Sequence, residues 1–233
     1  MARTRARKKH KQLTLADARK GLGRGGWRRC AGRKRKPGSI SHDTRPQLRA
    51  QHPQHTTVRL VDGAPNLARA YLMKVIRKVI AQSHKRDFRI VEFNVLGNHL
   101  HLISEAAGAM ELARGVQGFE VRLARRLNKV LKRSGKLFAA RYHTRSLTTP
   151  TDVRNTLRYV LCNRQHHAAE KKFDKLWIDP FSSAPWFSGW AAPIRSQRDL
   201  ASERKPTADA TVWLLTTGWK IRHGPLRIDE RPS

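Results

Sequence analysis

The chain has 233 residues, enough for one domain with a sizeable core and additional tails. It holds 49 lysine and arginine against 17 aspartate and glutamate residues, so its formal net charge is +32. This excess predicts a polyanionic partner, with nucleic acid first, because it would otherwise only destabilise the compact state by self-repulsion. No run of about 18 apolar residues is present to span a membrane. Because the basic N-terminus lacks the apolar segment of a secretory signal, we expect a cytoplasmic, nucleoid-associated protein.

Composition divides the chain into three parts. Residues 1–50 contain 17 basic and two acidic residues without a periodic apolar face, which predicts a disordered basic tail. We expect one domain over residues 51–170 and a tryptophan-rich extension over residues 171–233, which holds five of the six tryptophans. Most of these side chains should pack the extension onto the core rather than stack on unpaired bases. We expect a flexible stretch at about 192–209.

Hydrophobic periodicity predicts seven elements in the central domain. In chain order these are a strand at 56–61, a helix at 66–83, a hairpin of strands at 88–95 and 98–105, a helix at about 110–132, a strand near 142–147, and a helix at about 149–165. The order β-α-β-β-α-β-α predicts an α+β fold, a ferredoxin-like split βαβ sheet with an added C-terminal helix. Since this architecture hosts many functions, function has to be argued from individual residues.

Two short motifs in this domain carry potential chemistry. His99 and His101 lie on one predicted strand, whose period of two points both imidazoles to the same face, where they can act as metal ligands. Tyr159 and Asn163 are four residues apart on the last predicted helix and therefore share a face. Each motif alone is a weak signal, because His-x-His arises by chance and a tyrosine on a helix flank is usually a packing residue.

The motifs together resemble those of the single-tyrosine HUH transposases, and in particular the REP-associated tyrosine transposases and simple insertion-sequence transposases. The resemblance covers about residues 50 to 170 and is carried by three segments: Gly97–Ile103, Phe138–His143 and Asn155–Asn163. It implies that Tyr159 is the nucleophile and that His99, His101 and Asn163 bind one divalent metal ion, Mg²⁺ or Mn²⁺. Relatives often have Asn-Pro at the end of this helix, whereas Arg164 follows Asn163 here.

The resemblance also implies a reaction and a partner. A DNA transposase of this type cleaves and rejoins single-stranded DNA that bears hairpins, through a 5′-phosphotyrosine intermediate. The retained bond energy lets a second 3′-hydroxyl reverse the step and join a new strand. Mobile relatives act as dimers that exchange their tyrosine helices, while the REP-associated relatives look monomeric. We expect a monomer rather than a homodimer here.

Several assignments stay open from the residues alone. Tyr142 is the rival nucleophile, and Glu92 and Glu105 either orient the histidines or are solvated strand residues. Five basic side chains are candidates for contacts with the DNA backbone: Arg122, Arg125, Arg126, Lys129 and Arg141.

The competing function is a non-catalytic basic nucleic-acid-binding protein on the same fold. A metal-dependent hydrolase is a third, although it should contain more acidic ligands. The sequence fixes neither the DNA site nor whether the element is mobile or domesticated.

Overall fold

A computed structural model describes residues 47–139, 141–167, 177–194 and 204–230, with the side chains of 164–167 left out. These residues lie within one compact unit that spans Ile40–Ser233. The predicted basic tail at 1–50 falls outside the described residues except for its last four. The centre of the predicted flexible stretch at 192–209 also falls outside them. No helix in the described segments is long and apolar enough to cross a membrane.

Four strands form an antiparallel sheet in the order β2-β3-β1-β4. The strands are β1 (Gln54–Arg59), β2 (Phe88–Val95), β3 (His99–Ala106) and β4 (His143–Ser146), and the helices are α1 (Ala70–Ala81), α2 (Ala109–Val130) and α3 (Pro150–His167). This order and connectivity are those of the ferredoxin-like fold with an added helix, as predicted. The largest differences from the predicted boundaries are at β1, which lies two residues earlier than predicted, and at α1, which begins four residues later than predicted.

The first face of the sheet is covered by α1 and α2. Leu100 and Leu102 of β3 are fully buried there, as the strand alternation predicts. The apolar stripe predicted for α2 is buried from Leu112 to Leu127, but Val130 at the helix end is 46% exposed. A side chain at Gly115 would place its Cβ 2.2 Å from the ring of Phe88. Glycine is therefore required where α2 approaches β2.

A bulge in β2 changes the predicted alternation of its side chains. Val91, Phe93 and Val95 were expected on one side, but the register with β3 shifts between Ile90 and Glu92. Phe93 and Val95 pack into the core under α1 and α2, while Val91 packs into the core on the second face. The extra residue of a bulge produces this exchange, because it moves the following side chains to the opposite face.

The second face of the sheet is covered by α3 and by the C-terminal extension. The buried residues predicted for α3, Val153, Leu157, Val160 and Leu161, all lie in this second core. The extension adds a short 3₁₀ turn (Ala184–Trp186), a π-helical turn (Leu214–Gly218) and a final helical turn (Trp219–Ile221). Trp219 is buried and Trp190 packs against the second core. The prediction that most of these tryptophans pack onto the core is confirmed for these two, whereas Trp213 is 55% exposed.

Two buried glutamates attach the extension to the sheet. Glu105 accepts hydrogen bonds from the backbone N–H groups of Thr211 and Val212, both at 2.9 Å, and from the Thr211 hydroxyl at 2.7 Å. Glu92 accepts a hydrogen bond from the Ser183 hydroxyl. Burial raises the pKa of Glu92 to about 8. Both sequence-based interpretations of these residues are therefore wrong, because they neither orient the histidines nor lie in solvent.

Candidate active site

The histidines lie on the sheet face that α3 covers. Residues directly opposite each other in antiparallel strands share a face. The register places His101 of β3 between Asn94 of β2 and Thr57 of β1. Thr57 in turn lies opposite His143 of β4. His101 therefore stands in a row of polar side chains that crosses all four strands.

His99 and His101 point the same ring nitrogen towards each other. Their Nε2 atoms are 3.1 Å apart, and the ring planes are nearly perpendicular. The other ring nitrogen of His99, Nδ1, is 2.7 Å from the side-chain oxygen of Asn98. Since an amide oxygen only accepts, Nδ1 of His99 carries the proton and its Nε2 keeps a lone pair. The prediction that both imidazoles share a face holds in the structure.

His55 of β1 is a site residue that the sequence motifs did not identify. Its Nε2 lies 3.1 Å from Nδ1 of His101, and the Thr57 hydroxyl lies 3.2 Å from the same atom. Burial, followed by the charges of Arg145 and His143, lowers the pKa of His55 to about 4. His55 is therefore neutral near pH 7. The only sequence signal was the spacing of two between His55 and Thr57, which has no meaning until the register with β3 is known.

Tyr159 reaches the same histidines from α3. Its hydroxyl is 3.4 Å from Nε2 of His101, and its ring meets the His101 ring edge-on with centroids 5.1 Å apart. At this length the polar contact is weak, so it reports proximity more than bonding. Thr149 caps the start of α3, as predicted, by accepting a hydrogen bond from the backbone N–H of Asp152. Tyr159 therefore brings a hydroxyl group of α3 next to the histidines of the sheet.

Asn94 of β2 holds α3 next to the histidines. Its side-chain amide donates to the carbonyl oxygen of Val160 at 2.8 Å and to the carboxylate of Asp179 at 3.2 Å. Val160 directly follows Tyr159 in the chain, and Asn94 lies opposite His101 in the sheet. The register of β2 and β3 therefore sets where the tyrosine stands relative to the histidine.

Asn163 lies one helical turn after Tyr159 and is completely buried. Neither its side-chain oxygen nor its side-chain nitrogen has a hydrogen-bond partner among the described residues. Burying an amide without a partner costs about 1–3 kcal/mol. An amide oxygen is a ligand that suits a hard divalent cation. The orphaned amide of Asn163 is therefore compatible with the role that the resemblance implies for it.

The two histidine nitrogens are spaced as two ligands of one divalent ion would be. Two nitrogen ligands at about 2.1 Å from a metal, and at right angles to each other, lie roughly 3.0 Å apart. The Nε2 atoms of His99 and His101 are 3.1 Å apart. Within the described part of the chain, no group of three or more His, Cys, Asp or Glu side chains is arranged to hold a metal ion. A metal ion bound by His99 and His101 would therefore need further ligands of another kind, such as an amide oxygen.

The other two tyrosines lie away from the histidines. Tyr142 is 8% exposed and packs into the core under α1 and α2, on the opposite side of the sheet. Tyr71 lies on α1 and is 51% exposed. The sequence kept Tyr142 as the rival nucleophile, and this burial argues against that alternative.

Four of the five predicted DNA contacts lie on the helix that covers the other face of the sheet from the histidines. Arg122, Arg125, Arg126 and Lys129 belong to α2, which covers the first face, and Arg141 is exposed just before β4. A groove of about 280 Å³ runs between α1 and α2 and is lined by Lys74, Val75, Lys78, Arg126, Lys129 and Val130. Two cations lie opposite histidines of this face in the sheet, Arg59 opposite His99 and Arg145 opposite His55. The sequence analysis missed both.

Residues 65–163 match a protein-family model described as "Transposase IS200 like". The matched range contains His99, His101, Tyr159 and Asn163. Over these residues the chain is similar to the IS200-like transposases. His55 and Thr57 lie before the matched range, so the family model gives them no role.

A solved structure supports the fold of this domain. The structure of a REP-associated tyrosine transposase bound to a REP hairpin aligns with a TM-score of 0.50 and 18% sequence identity. The alignment covers 74% of this chain and 93% of that one. At this identity the similarity supports the fold alone. No curated protein matches the chain.

Proposed function

We propose that this transposase domain cleaves and rejoins single-stranded DNA through a covalent bond to Tyr159. The observation that carries the proposal is the 3.4 Å distance between the Tyr159 hydroxyl and Nε2 of His101, beside the paired histidines. A nucleophile needs to stand next to the groups that stabilise the phosphoryl charge. Tyr159 is the tyrosine that meets this condition, and it lies in the segment that matches the transposase family.

The reaction follows from the chemistry of the tyrosine. The Tyr159 oxygen attacks the phosphorus, its bond to phosphorus forms, and the bond to the 3′-oxygen breaks. The phenolic proton passes to solvent and the 3′-oxygen takes one up, which leaves a 5′-phosphotyrosine and a free 3′-hydroxyl. A second 3′-hydroxyl reverses the step because the phosphodiester energy is retained. No base is needed to activate water, in keeping with the scarcity of carboxylates beside the histidines.

We infer that His99, His101 and Asn163 hold one divalent cation, Mg²⁺ or Mn²⁺. Their fit rests on the 3.1 Å separation of the Nε2 atoms and on the orphaned buried amide of Asn163. When bound, such an ion acts as a Lewis acid towards the phosphoryl oxygens and orients the scissile phosphate. Imidazole ligands favour Mn²⁺ over Mg²⁺.

We propose hairpin-bearing single-stranded DNA as the substrate. The related solved structure contains a REP hairpin, and the net charge of +32 favours a polyanion. We infer that Arg59 and Arg145 on the histidine face contact the strand that is cut, and that the α1–α2 groove contacts backbone phosphates further away. We expect the protein to act as a monomer.

The test is a covalent adduct on a denaturing gel. Labelled single-stranded hairpins from the flanks of the gene are mixed with the protein and Mn²⁺ or Mg²⁺. Wild type and the control variant Tyr142→Phe should give a denaturant-resistant protein–DNA species. Tyr159→Phe should give none while it binds DNA and folds normally. An adduct that persists in Tyr159→Phe would contradict the proposal. Tight binding without any adduct, for every hairpin tried, would favour the non-catalytic binding function.

A further inference from the structure

The metal-binding role inferred for His101 constrains its proton. An imidazole that binds a metal through Nε2 must carry its own proton on Nδ1. That Nδ1–H is a buried donor, since His101 is only 4% exposed, and it needs an acceptor. Among the described residues, Nε2 of His55 lies 3.1 Å from this Nδ1 and the Thr57 hydroxyl lies 3.2 Å from it.

His55 is the stronger of the two acceptors. An imidazole lone pair is more basic than a hydroxyl oxygen, and a threonine hydroxyl can also turn and donate. The His55 ring is fixed in place, because it contacts the His101 ring at 5.2 Å and the Tyr159 ring at 6.1 Å between centroids. It therefore touches both the inferred ligand and the inferred nucleophile.

We propose that His55 is a positioning residue whose Nε2 accepts the Nδ1–H of His101 and so keeps the Nε2 lone pair of His101 directed at the metal. Asn98 does the same for His99 by accepting from its Nδ1 at 2.7 Å. Each of the two inferred imidazole ligands thus has an acceptor behind it. These outer partners typically contribute 10- to 100-fold to metal affinity. The proposal rests on the metal site inferred above, and it assigns a role to a residue outside the family match.

The first test is metal affinity without DNA. Mn²⁺ is titrated into the full-length protein and followed by calorimetry and by electron paramagnetic resonance of free Mn²⁺. His55→Leu should weaken Mn²⁺ binding by roughly 10- to 100-fold. His55→Gln should retain most of the affinity, because its amide oxygen can accept the same hydrogen bond. His143→Leu is the matched control, since His143 lies on the same face, is exposed, and should leave affinity unchanged. Wild-type affinity in His55→Leu would overturn the proposal, as would a loss in His55→Gln equal to that in His55→Leu.

The second test reads the position of the His101 proton directly and needs no His55 variant. The ring nitrogens of ¹⁵N-labelled histidine report the tautomer of each imidazole, and His101→Gln identifies the His101 signals. Without metal, Nε2 of His101 can donate to the lone pair on Nε2 of His99, so the spectra are recorded with diamagnetic Mg²⁺ bound. The proposal predicts the Nδ1–H tautomer for His101 in this state. A dominant Nε2–H tautomer with Mg²⁺ bound would overturn it while leaving the metal site intact. If wild type binds neither Mn²⁺ nor Mg²⁺, the inferred metal site fails and the role of His55 fails with it, whereas the covalent adduct still tests the proposed reaction.

Discussion

The two faces of the sheet differ in what their side chains contribute. On the face under α1 and α2, β3 contributes Leu100 and Leu102, which are fully buried in an apolar core. On the face under α3, the same strand contributes His99 and His101, which meet beside Tyr159. Because side chains alternate between the two faces of a strand, the β3 residues that stabilise the core and those that form the candidate site take alternate positions. Substitutions one residue apart should therefore have effects that can be told apart.

The largest effect should come from the histidine face. His99→Ala removes one of the two converging nitrogens, so adduct formation should fall by roughly 100- to 1000-fold, as when one stabilising group is lost from a transition state. Chelation of the metal should lower wild-type adduct formation similarly. The measurement is the initial rate of adduct formation with and without chelator. A wild-type rate of adduct formation that does not change with chelator would contradict the inferred role of the metal.

On the helix-covered face the expected effect is on folding. Leu102→Ala leaves a cavity in the core and should lower the free energy of unfolding by about 2–5 kcal/mol, measured by urea denaturation. The rate of adduct formation per folded molecule should not change. Val130→Ala on α2 is the control, because Val130 is 46% exposed and its truncation should cost less than about 0.5 kcal/mol. An equal loss at both positions would contradict the assigned core.

A smaller effect concerns the pH dependence of stability. Burial raises the pKa of Glu92 from 4.5 to about 8, so the folded state binds a proton that the unfolded state releases. Stability should therefore fall as pH rises from 4.5 to about 8, by at most about 1.4 kcal/mol per pH unit. Glu92→Gln should flatten this part of the profile. The measurement is the free energy of unfolding of both proteins against pH, from thermal or urea denaturation. Parallel profiles for the two proteins would contradict the raised pKa of Glu92.

The smallest effect should come from the groove between α1 and α2. Replacing Arg126 and Lys129 together by glutamine should lower DNA affinity and reduce the slope of log K against log salt by roughly 0.7–0.9 for each lost phosphate contact. The adduct rate at saturating DNA should stay unchanged, since the groove lies on the face away from the histidines. Arg59→Gln, on the histidine face, should lower that rate. An unchanged salt slope in the double variant would show that the groove does not bind DNA.

The sequence predicted the elements because their signals are local. The alternation of β3, the stripe of α2 and the cap of α3 at Thr149 each involve neighbours along the chain. The same local reasoning placed His99 and His101 on one face. It failed at the bulge between Ile90 and Glu92, where one extra residue reverses the alternation without a composition signal.

The remaining features depend on contacts between distant segments. His55 reaches His101 only because β1 pairs with β3, and Asn94 holds α3 only because the helix crosses β2. Glu105 is buried because residues 211–212 fold back over it. Sequence spacing carries no information about such pairings. His55, Asn94 and Glu105 therefore could not be distinguished in the sequence from other polar residues of strands. Non-local register, rather than residue type, limited the prediction of the site.

The central claim is that DNA becomes attached to Tyr159, and peptide mapping of the adduct tests it most directly. Trypsin should place the three tyrosines on three different peptides: residues 70–74 with Tyr71, 142–145 with Tyr142, and 159–164 with Tyr159. After nuclease trimming, mass spectrometry should find the phosphonucleotide on peptide 159–164. A modification on peptide 142–145 or 70–74, with 159–164 unmodified, would contradict the account.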